Sequence, residues 1–131
     1  MQRLDLMKLA QILAMGLFWP AVVLVIWGEL TPNPPDIMPG VSDKLLHFMA
    51  YFGLSGLAIT AIGLKRASLF VILALIAFGG ALEILQAYTG RDPELLDEVA
   101  NAIGTLLGVL TGCGFLIALK SLTLVAPTAP D

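Results

Sequence analysis

The stretch GGALEILQAYTGRDPELLDEVANAIGTLLGVLTG, residues 79–112, decides the fold that the sequence predicts. An acid and an amide, Glu83 and Gln86, lie inside an apolar run that ends at a short acidic loop around Arg91. A second polar pair, Asp97 and Asn101, then leads into another apolar run. Burying ionisable groups in apolar surroundings costs free energy, so each of them is a candidate for a functional role. We therefore expect two apolar helices whose polar residues lie beside a shared loop.

The whole chain is more apolar than a soluble domain. Of its 131 residues, 58% are hydrophobic and 13% are charged, whereas soluble domains carry about 25% charged residues. The mean hydropathy is +0.91. Because a small domain buries only a limited fraction of its surface, this composition predicts a membrane protein. The net charge of −3 argues against nucleic acid as a partner, since that partner requires clustered Lys and Arg.

Four apolar runs predict an all-α fold, a compact four-helix transmembrane bundle formed by a single domain over residues 1–122. The predicted spans are about residues 9–30, 43–63, 67–88 and 96–119. Each is close to the length of about 20 residues that crosses a bilayer. A cleaved signal peptide is the alternative for the first run, but no small-x-small cleavage site follows it before Pro32. Residues 123–131 are expected to form a mobile C-terminal tail.

The distribution of basic residues predicts the orientation of the bundle. Lys and Arg occur at the N-terminus, at residues 65–66 and at the end of the fourth span, as Arg3, Lys8, Lys65, Arg66 and Lys120. The other two loops are mainly acidic. By the positive-inside rule, both termini are cytoplasmic and the acidic loops face outward.

Polar residues on three spans are expected to meet at one depth in the membrane. Asp43, His47 and Tyr51 follow one another at intervals of four residues, so they share one helix face. The pairs Glu83–Gln86 and Asp97–Asn101 lie at the outer ends of the third and fourth spans. In a topology of alternating direction, all three sets fall in the outer third of the membrane. This convergence is the strongest functional signal in the sequence.

Three interpretations of this polar cluster remain open. In the first, the cluster binds a lipid headgroup, an envelope precursor or a lipophilic glycopeptide, with Arg91 as the partner of phosphate or carboxylate. In the second, the protein is an intramembrane acid–base enzyme. Its candidate catalytic residues are His47 as base, Asp97 or Asp43 to orient it, and Glu83 as acid. In the third, the protein is a structural subunit or assembly factor whose polar residues only hold the helices together, with Glu83 either kept neutral or paired with Arg91.

No metal and no other cofactor is predicted. HxxxY and ExxQ are not zinc motifs, and the chain has neither an HExxH pattern nor paired cysteines. The glycines Gly104, Gly108 and Gly112 repeat every four residues on the same side of the helix as Asn101. Small residues at this spacing allow two helices to approach closely, so these glycines predict a packing seam.

The segments DKLLHFMAYFGLSGL and ALEILQAYTGRDPELLDEVANAIGTLLG resemble the VanZ-like family of small bacterial integral membrane proteins. That family has an Asp-Lys-x-x-His-Phe-x-x-Tyr segment, then Glu-x-x-Gln, an Arg in the next loop, and Asp-x-x-x-Asn followed by glycines. The matching residues here are Asp43, Lys44, His47, Phe48, Tyr51, Glu83, Gln86, Arg91, Asp97, Asn101, Gly104 and Gly108. The chain departs from the family in the Asp-Pro-Glu that follows Arg91, in place of the commoner short polar turn.

The resemblance implies a multi-pass protein of the bacterial cytoplasmic (inner) membrane with a role in the cell envelope. It also implies low-level resistance of the teicoplanin type, with membrane lipids as partners and an envelope precursor or glycopeptide as a further ligand. The residues expected to bind ligand are Asp43, Lys44, His47, Tyr51, Glu83, Gln86, Arg91, Asp97 and Asn101. The resemblance supplies no mechanism, and the sequence leaves open whether a protein partner or a second copy binds.

Overall fold

A computed structural model of the chain describes residues 6–35, 38–64 and 68–125. These residues form four α-helices and no strand. The helices are α1 (Leu6–Leu30), α2 (Asp43–Ile62), α3 (Ser68–Thr89) and α4 (Leu95–Val125). All four are long and apolar enough to cross a membrane. The prediction of an all-α chain with four helices long and apolar enough to cross a membrane is thus confirmed for this part of the chain.

Local sequence signals explain where the helices begin and end. Ser42 caps α2, because its Oγ accepts a hydrogen bond from the Leu45 backbone N–H at 3.3 Å. Gly63 follows the last turn of α2 with a φ of +79°, and its N–H donates to the Ile59 carbonyl. Gly90 follows α3 with a φ of +84°. Glycine adopts such positive φ values without steric cost, so these two positions set the ends of α2 and α3.

Three predictions concern the end of the fourth span, the C-terminal tail and the orientation of the chain. Helix α4 continues to Val125, beyond the predicted end of the fourth span at residue 119. The remainder of the predicted mobile tail, residues 126–131, lies outside the described residues. So do Arg3, Lys65 and Arg66, on which the predicted orientation largely rests, and that orientation stays a prediction.

Helices α2 and α4 make the closest contact in the bundle, along the predicted glycine seam. A Cβ atom added to Gly104 would collide with the Phe48 carbonyl, and one added to Gly108 would collide with the Phe52 carbonyl. A Cβ atom on Gly112 would lie 3.2 Å from the carbonyl oxygen of Gly56. The backbones of α2 and α4 therefore approach to a distance that side chains at these positions would prevent.

An apolar core lies beside this seam, between α2, α3 and α4. Its most deeply buried members include Tyr51, Leu54 and Ile59 from α2, with Leu75 from α3 and Leu116 from α4. Helix α1 is more peripheral. It packs mainly against α2, and its buried residues within the described chain are Ala14 and Glu29. One of the two residues that α1 buries is therefore an acid at its carboxyl end.

Candidate functional site

Polar side chains gather where the carboxyl ends of α1 and α3 meet the amino ends of α2 and α4. We call this region the polar end of the bundle. Its buried polar residues are Glu29, His47, Glu83, Gln86, Asp97 and Asn101. Each helix thus contributes at least one buried polar side chain to the same end.

His47 lies at the centre of the polar end and is only 4% exposed. Its Nδ1 atom is 3.1 Å from Asn101 Oδ1 and 3.5 Å from Glu29 Oε1. Its Nε2 atom is 3.8 Å from one carboxylate oxygen of Asp43 and 3.8 Å from one of Asp97. The imidazole ring is therefore in contact with groups from α1, its own helix and α4.

The neighbours of Asn101 determine which nitrogen of His47 donates. The Asn101 Nδ2 atom donates to Glu98 Oε2 at 3.2 Å, so the amide oxygen of Asn101 faces His47. Because an amide oxygen only accepts, His47 Nδ1–H is the donor in this pair. In a neutral imidazole the other nitrogen, Nε2, then carries a lone pair, and this lone pair points toward Asp43 and Asp97.

Arg91 ties the loop after α3 to the end of α1. Its Nη1 donates to the backbone carbonyls of Gly28 and Glu29 at 3.0 and 3.1 Å, and its Nη2 lies 3.3 Å from Asp43 Oδ2. Gln86 Nε2 also donates to the Glu29 carbonyl, at 3.1 Å. These carbonyls belong to the last turn of α1, which has no further helical N–H to bind them. Arg91 and Gln86 thus cap α1 from outside.

The structural interpretation of the sequence paired Glu83 with Arg91, but Glu83 has a different partner. Its Oε2 accepts the backbone N–H of Glu94 at 3.1 Å, which fixes the start of α4 beside the end of α3. Its other oxygen is buried and has no hydrogen-bond partner within the described chain. Arg91 instead interacts with Asp43, so the two residues act at separate points of the polar end.

Lys44 bridges α2 to the start of α4. Its Nζ lies 2.6 Å from Glu94 Oε2 and 3.3 Å from Asp97 Oδ1. The ammonium group beside Glu94 lowers the pKa of that carboxyl below its usual value. Lys44 and Glu94 are well exposed to solvent whereas Asp97 is buried, so this pairing lies at the rim of the polar end.

Sequence reasoning missed Glu29 and Glu98 as members of the polar end. Glu29 is 6% exposed, and neither of its carboxylate oxygens has a hydrogen-bond partner within the described chain. The Tyr51 hydroxyl is likewise buried without a hydrogen-bond partner among the described residues. The available signal was the position of Glu29, an ionisable residue at the edge of an apolar run.

An apolar groove runs from the polar end along α1 and α2. Its volume is about 610 Å³, which lies within the range of about 300–1,000 Å³ typical of ligand pockets. Glu29, Asp43, His47 and Arg91 line the part of the groove nearest the polar end. The remainder is lined mainly by apolar residues of α1 and α2 and by the loop residues Pro34, Pro35 and Met38. The groove therefore has one charged end and a long apolar body.

The nine predicted ligand-binding residues fall into two layers. Eight of them lie at the polar end, namely Asp43, Lys44, His47, Glu83, Gln86, Arg91, Asp97 and Asn101. Tyr51 lies one helical turn below His47, fully buried against Phe78 in the apolar core. Four of the nine, Asp43, His47, Gln86 and Arg91, contact the groove or the last turn of α1. Their role in binding stays a prediction.

Comparison of this chain with models of known protein families, with curated proteins and with solved structures finds no match. The VanZ-like resemblance therefore rests on the sequence segments alone. The functional argument below depends on the geometry of the polar end and the groove.

Proposed function

We propose that this multi-pass membrane protein binds an amphiphilic molecule, with an acyl chain in the groove between α1 and α2 and a headgroup at the polar end. The observation that carries the proposal is the groove itself, about 610 Å³ in volume and lined at one end by Glu29, Asp43, His47 and Arg91. An apolar body with a few polar groups at one point is the usual construction of a ligand site.

The walls of the groove are single faces of two helices. Residues 21, 24, 25 and 28 of α1 line one wall, at the spacing of one helix face. Residues 46, 50, 53, 54 and 57 of α2 line the other. From residue 43 to residue 57, α2 rises by about 21 Å, more than half of the roughly 30 Å hydrocarbon core of a bilayer. The groove is thus long enough for a large part of an extended acyl chain.

The charged end favours a headgroup that donates hydrogen bonds. Glu29 has two unpaired carboxylate oxygens, and Asp43 offers a second acidic side chain at the end of the groove. Arg91 already binds α1 and Asp43, so it has less capacity for an anion than the sequence suggested. An ammonium or hydroxyl-rich headgroup therefore complements this end. An aminophospholipid, an envelope precursor and a lipophilic glycopeptide all combine such a headgroup with an apolar chain.

Filling the groove without disturbing the bundle tests the proposal. Gly53 lines the groove and has open space where a side chain would begin. We expect Gly53→Leu to fold normally but to lose the co-purifying amphiphile that native mass spectrometry detects on the wild type from lipid nanodiscs. Gly16→Leu is the matched control, because Gly16 also faces open space but lies outside the groove. Equal retention by both variants would contradict the proposal.

The same measurement separates the sources of the ligand. Nanodiscs are supplied in turn with an aminophospholipid, a lipid-linked cell-wall precursor, and a lipoglycopeptide. The species retained by the wild type and by Gly16→Leu, but not by Gly53→Leu, is the ligand. Retention of the lipoglycopeptide would support low-level teicoplanin-type resistance, a further proposal that comes from the VanZ-like resemblance together with a bacterial inner-membrane location. The cytoplasmic position of both termini stays a separate proposal, supported by the distribution of Lys and Arg.

Acid–base catalysis on such a ligand is the second candidate function. It is favoured by the position of His47, whose ring lies within 4 Å of carboxylate oxygens from Glu29, Asp43 and Asp97. A histidine among carboxylates is a common general base. This candidate requires turnover of a labelled envelope lipid by the purified protein and its loss in His47→Gln. A bound lipid that stays chemically unchanged would exclude it.

A further inference from the structure

We propose that Asp43, His47 and Asp97 bind a divalent transition metal of the Zn²⁺ or Mn²⁺ class at the polar end. The sequence predicts no metal here, because the three ligands come from two helices and match no local motif. In the folded chain, one donor atom from each of them lies within 4.8 Å of the other two. The inference goes beyond amphiphile binding and does not depend on it.

The hydrogen bonds around His47 leave its Nε2 atom ready to bind a metal. Nδ1–H donates to Asn101 Oδ1 at 3.1 Å, and Glu98 holds the Asn101 amide in the orientation that requires this. Metal-bound histidines characteristically donate their second ring N–H to a fixed acceptor in this way. The lone pair of Nε2 then faces carboxylate oxygens of Asp43 and Asp97, each 3.8 Å away.

The separations among the donor atoms suit one small cation. Zn²⁺ binds histidine nitrogen and carboxylate oxygen at about 2.1 Å, so two donors in a tetrahedral site lie about 3.4 Å apart. Both distances from Nε2 are 3.8 Å, so small rotations of the side chains would bring the donors onto one ion. The Asp43 side chain is 51% exposed, so it can rotate to bring its oxygen toward that of Asp97. A mixed set of one imidazole and two carboxylates suits Zn²⁺ or Mn²⁺.

Buried acidic side chains provide a second reason for a cation. Glu29 and Glu83 are each at least nine-tenths buried, and each has a side-chain oxygen with no hydrogen-bond partner among the described residues. Asp97 is also buried, and one of its oxygens lies 3.3 Å from Lys44 Nζ. Lys44 and Arg91 are the basic side chains that pair with acids here, and both also contact the rim or the α1 carbonyls. The lone pair of His47 Nε2 and the carboxylates of Asp43 and Asp97 repel one another unless a cation or a proton lies between them.

The proposed metal would retain open positions toward the groove. Three protein ligands leave at least one position of a four-coordinate metal free. Asp43 and His47 both line the groove, whereas Asp97 is not among its lining residues. The free position therefore faces the headgroup end of the groove, where a hydroxyl, phosphate or carboxylate oxygen can bind it.

The single histidine of the chain makes a direct test possible. Tag-free protein in detergent, without added lipid, is titrated with Mn²⁺ alone and examined by electron spin echo spectroscopy. We expect one Mn²⁺ per chain with an imidazole ¹⁴N coupling that changes to ¹⁵N when histidine is isotopically labelled. Because only His47 can give this signal, the assignment requires no variant. Competition by Zn²⁺ should remove it.

Variants then test the two carboxylates. We expect Asp43→Asn and Asp97→Asn each to weaken Mn²⁺ binding by roughly tenfold or more, a loss at least as large as that from removing an outer-shell partner. Glu94→Gln is the matched control, an acid at the same end that contacts Lys44 rather than His47. Binding without a histidine coupling, unchanged affinity in Asp43→Asn, or no saturable binding at millimolar Mn²⁺ and Zn²⁺ would each overturn the proposal. None of these outcomes bears on the Gly53→Leu test of amphiphile binding.

Discussion

Helix α2 has two faces that pack in opposite ways. Toward α4, its backbone lies so close that a Cβ atom on Gly104 or Gly108 has no room. Toward α1, it leaves a groove of about 610 Å³, and a Cβ atom on Gly53 meets nothing within 4 Å. Glycine thus occurs at both contacts, on α4 in the first and on α2 itself in the second, with different consequences. On one face it allows close contact, and on the other it widens a cavity.

The difference separates the residues that position the site from those that form its opening. The tight face holds His47 against Asn101 across the α2–α4 contact. The loose face presents the same His47, with Asp43, to the groove. A site needs side chains that are held rigidly and a space that a ligand can enter. Helix α2 meets both requirements because its two neighbours approach it at different distances.

The largest effect is expected from adding a side chain at the close contact between α2 and α4. We expect Gly108→Ala to lower the free energy of unfolding by about 3 kcal/mol, at the upper end of the overpacking range. The reason is that the new methyl group would collide with the Phe52 backbone carbonyl, which cannot move without shifting α2. Reversible unfolding in mixed micelles measures the change.

Gly114→Ala is the matched control for Gly108→Ala. Gly114 lies in the same helix, but a Cβ atom there meets nothing within 4 Å. Replacing glycine by alanine within a helix is otherwise favourable by up to about 1 kcal/mol. We therefore expect Gly114→Ala to be neutral or slightly stabilising. Equal losses in both variants would show that the glycines of α4 matter for some reason other than the seam.

Removing the capping contacts at the carboxyl end of α1 should produce a smaller effect, confined to the side of α2 that faces α1. Arg91→Gln removes donors to the Gly28 and Glu29 carbonyls and the contact with Asp43. Hydrogen bonds of charged groups contribute about 1.5–3 kcal/mol, and we expect a loss of roughly 1.5 kcal/mol because Arg91 is partly exposed. Hydrogen exchange should rise in residues 24–31 of α1 and remain unchanged in α4.

Arg91→Lys distinguishes the effect of the positive charge of Arg91 from that of its hydrogen bonds to the α1 carbonyls. Lysine keeps the positive charge near Asp43 but lacks the planar fork that binds two carbonyls at once. An intermediate rise in exchange within α1 is the expected result. If Arg91→Lys behaves as the wild type does, the charge of Arg91 rather than its capping bonds holds α1 in place.

The smallest expected effect lies at the exposed rim. Glu94→Gln removes the ion pair with Lys44, and exposed ion pairs contribute little to stability. Because the Lys44 ammonium lowers the folded-state pKa of Glu94 from its ordinary 4.5, the pair stabilises the fold fully above that pH. The contribution disappears as the pH falls through the lowered pKa.

Melting curves across the acidic range check this sign. The wild type should melt slightly above Glu94→Gln at neutral pH, and the two curves should converge below pH 4.5, the ordinary pKa of the group. A difference that grows as the pH falls would show that folding raises the pKa of Glu94 instead of lowering it.

The number of helices and their approximate limits could be predicted, because each span is a long apolar run bounded by residues that begin or end helices. Ser42, Gly63 and Gly90 mark helix ends through properties of single residues. The glycine seam could also be predicted from its period of four, since Gly104, Gly108 and Gly112 do meet another helix. Its partner, α2, could not, because a small-residue pattern does not specify which helix approaches it.

The composition of the polar end was only partly predictable. His47, Asp97 and Asn101 stand out as polar residues within apolar sequence, whereas Glu29 precedes a proline-rich loop and resembles a loop charge. Its burial depends on how α1 packs against α2 and on the capping of α1 by Arg91 and Gln86. The capping contacts join residues more than fifty positions apart, so no local pattern reveals them.

The position of the groove between α1 and α2 also determines how the proposed amphiphile would reach it. Residues on both walls, including Leu24 and Met49, are 61% and 42% exposed on the surface that the hydrocarbon layer surrounds. A lipid-tailed molecule can therefore enter sideways by diffusion within the leaflet, without crossing water. Occupancy then follows the mole fraction of the ligand in the bilayer rather than its aqueous concentration. Two cells with the same amount of ligand but different membrane areas would fill this groove to different extents.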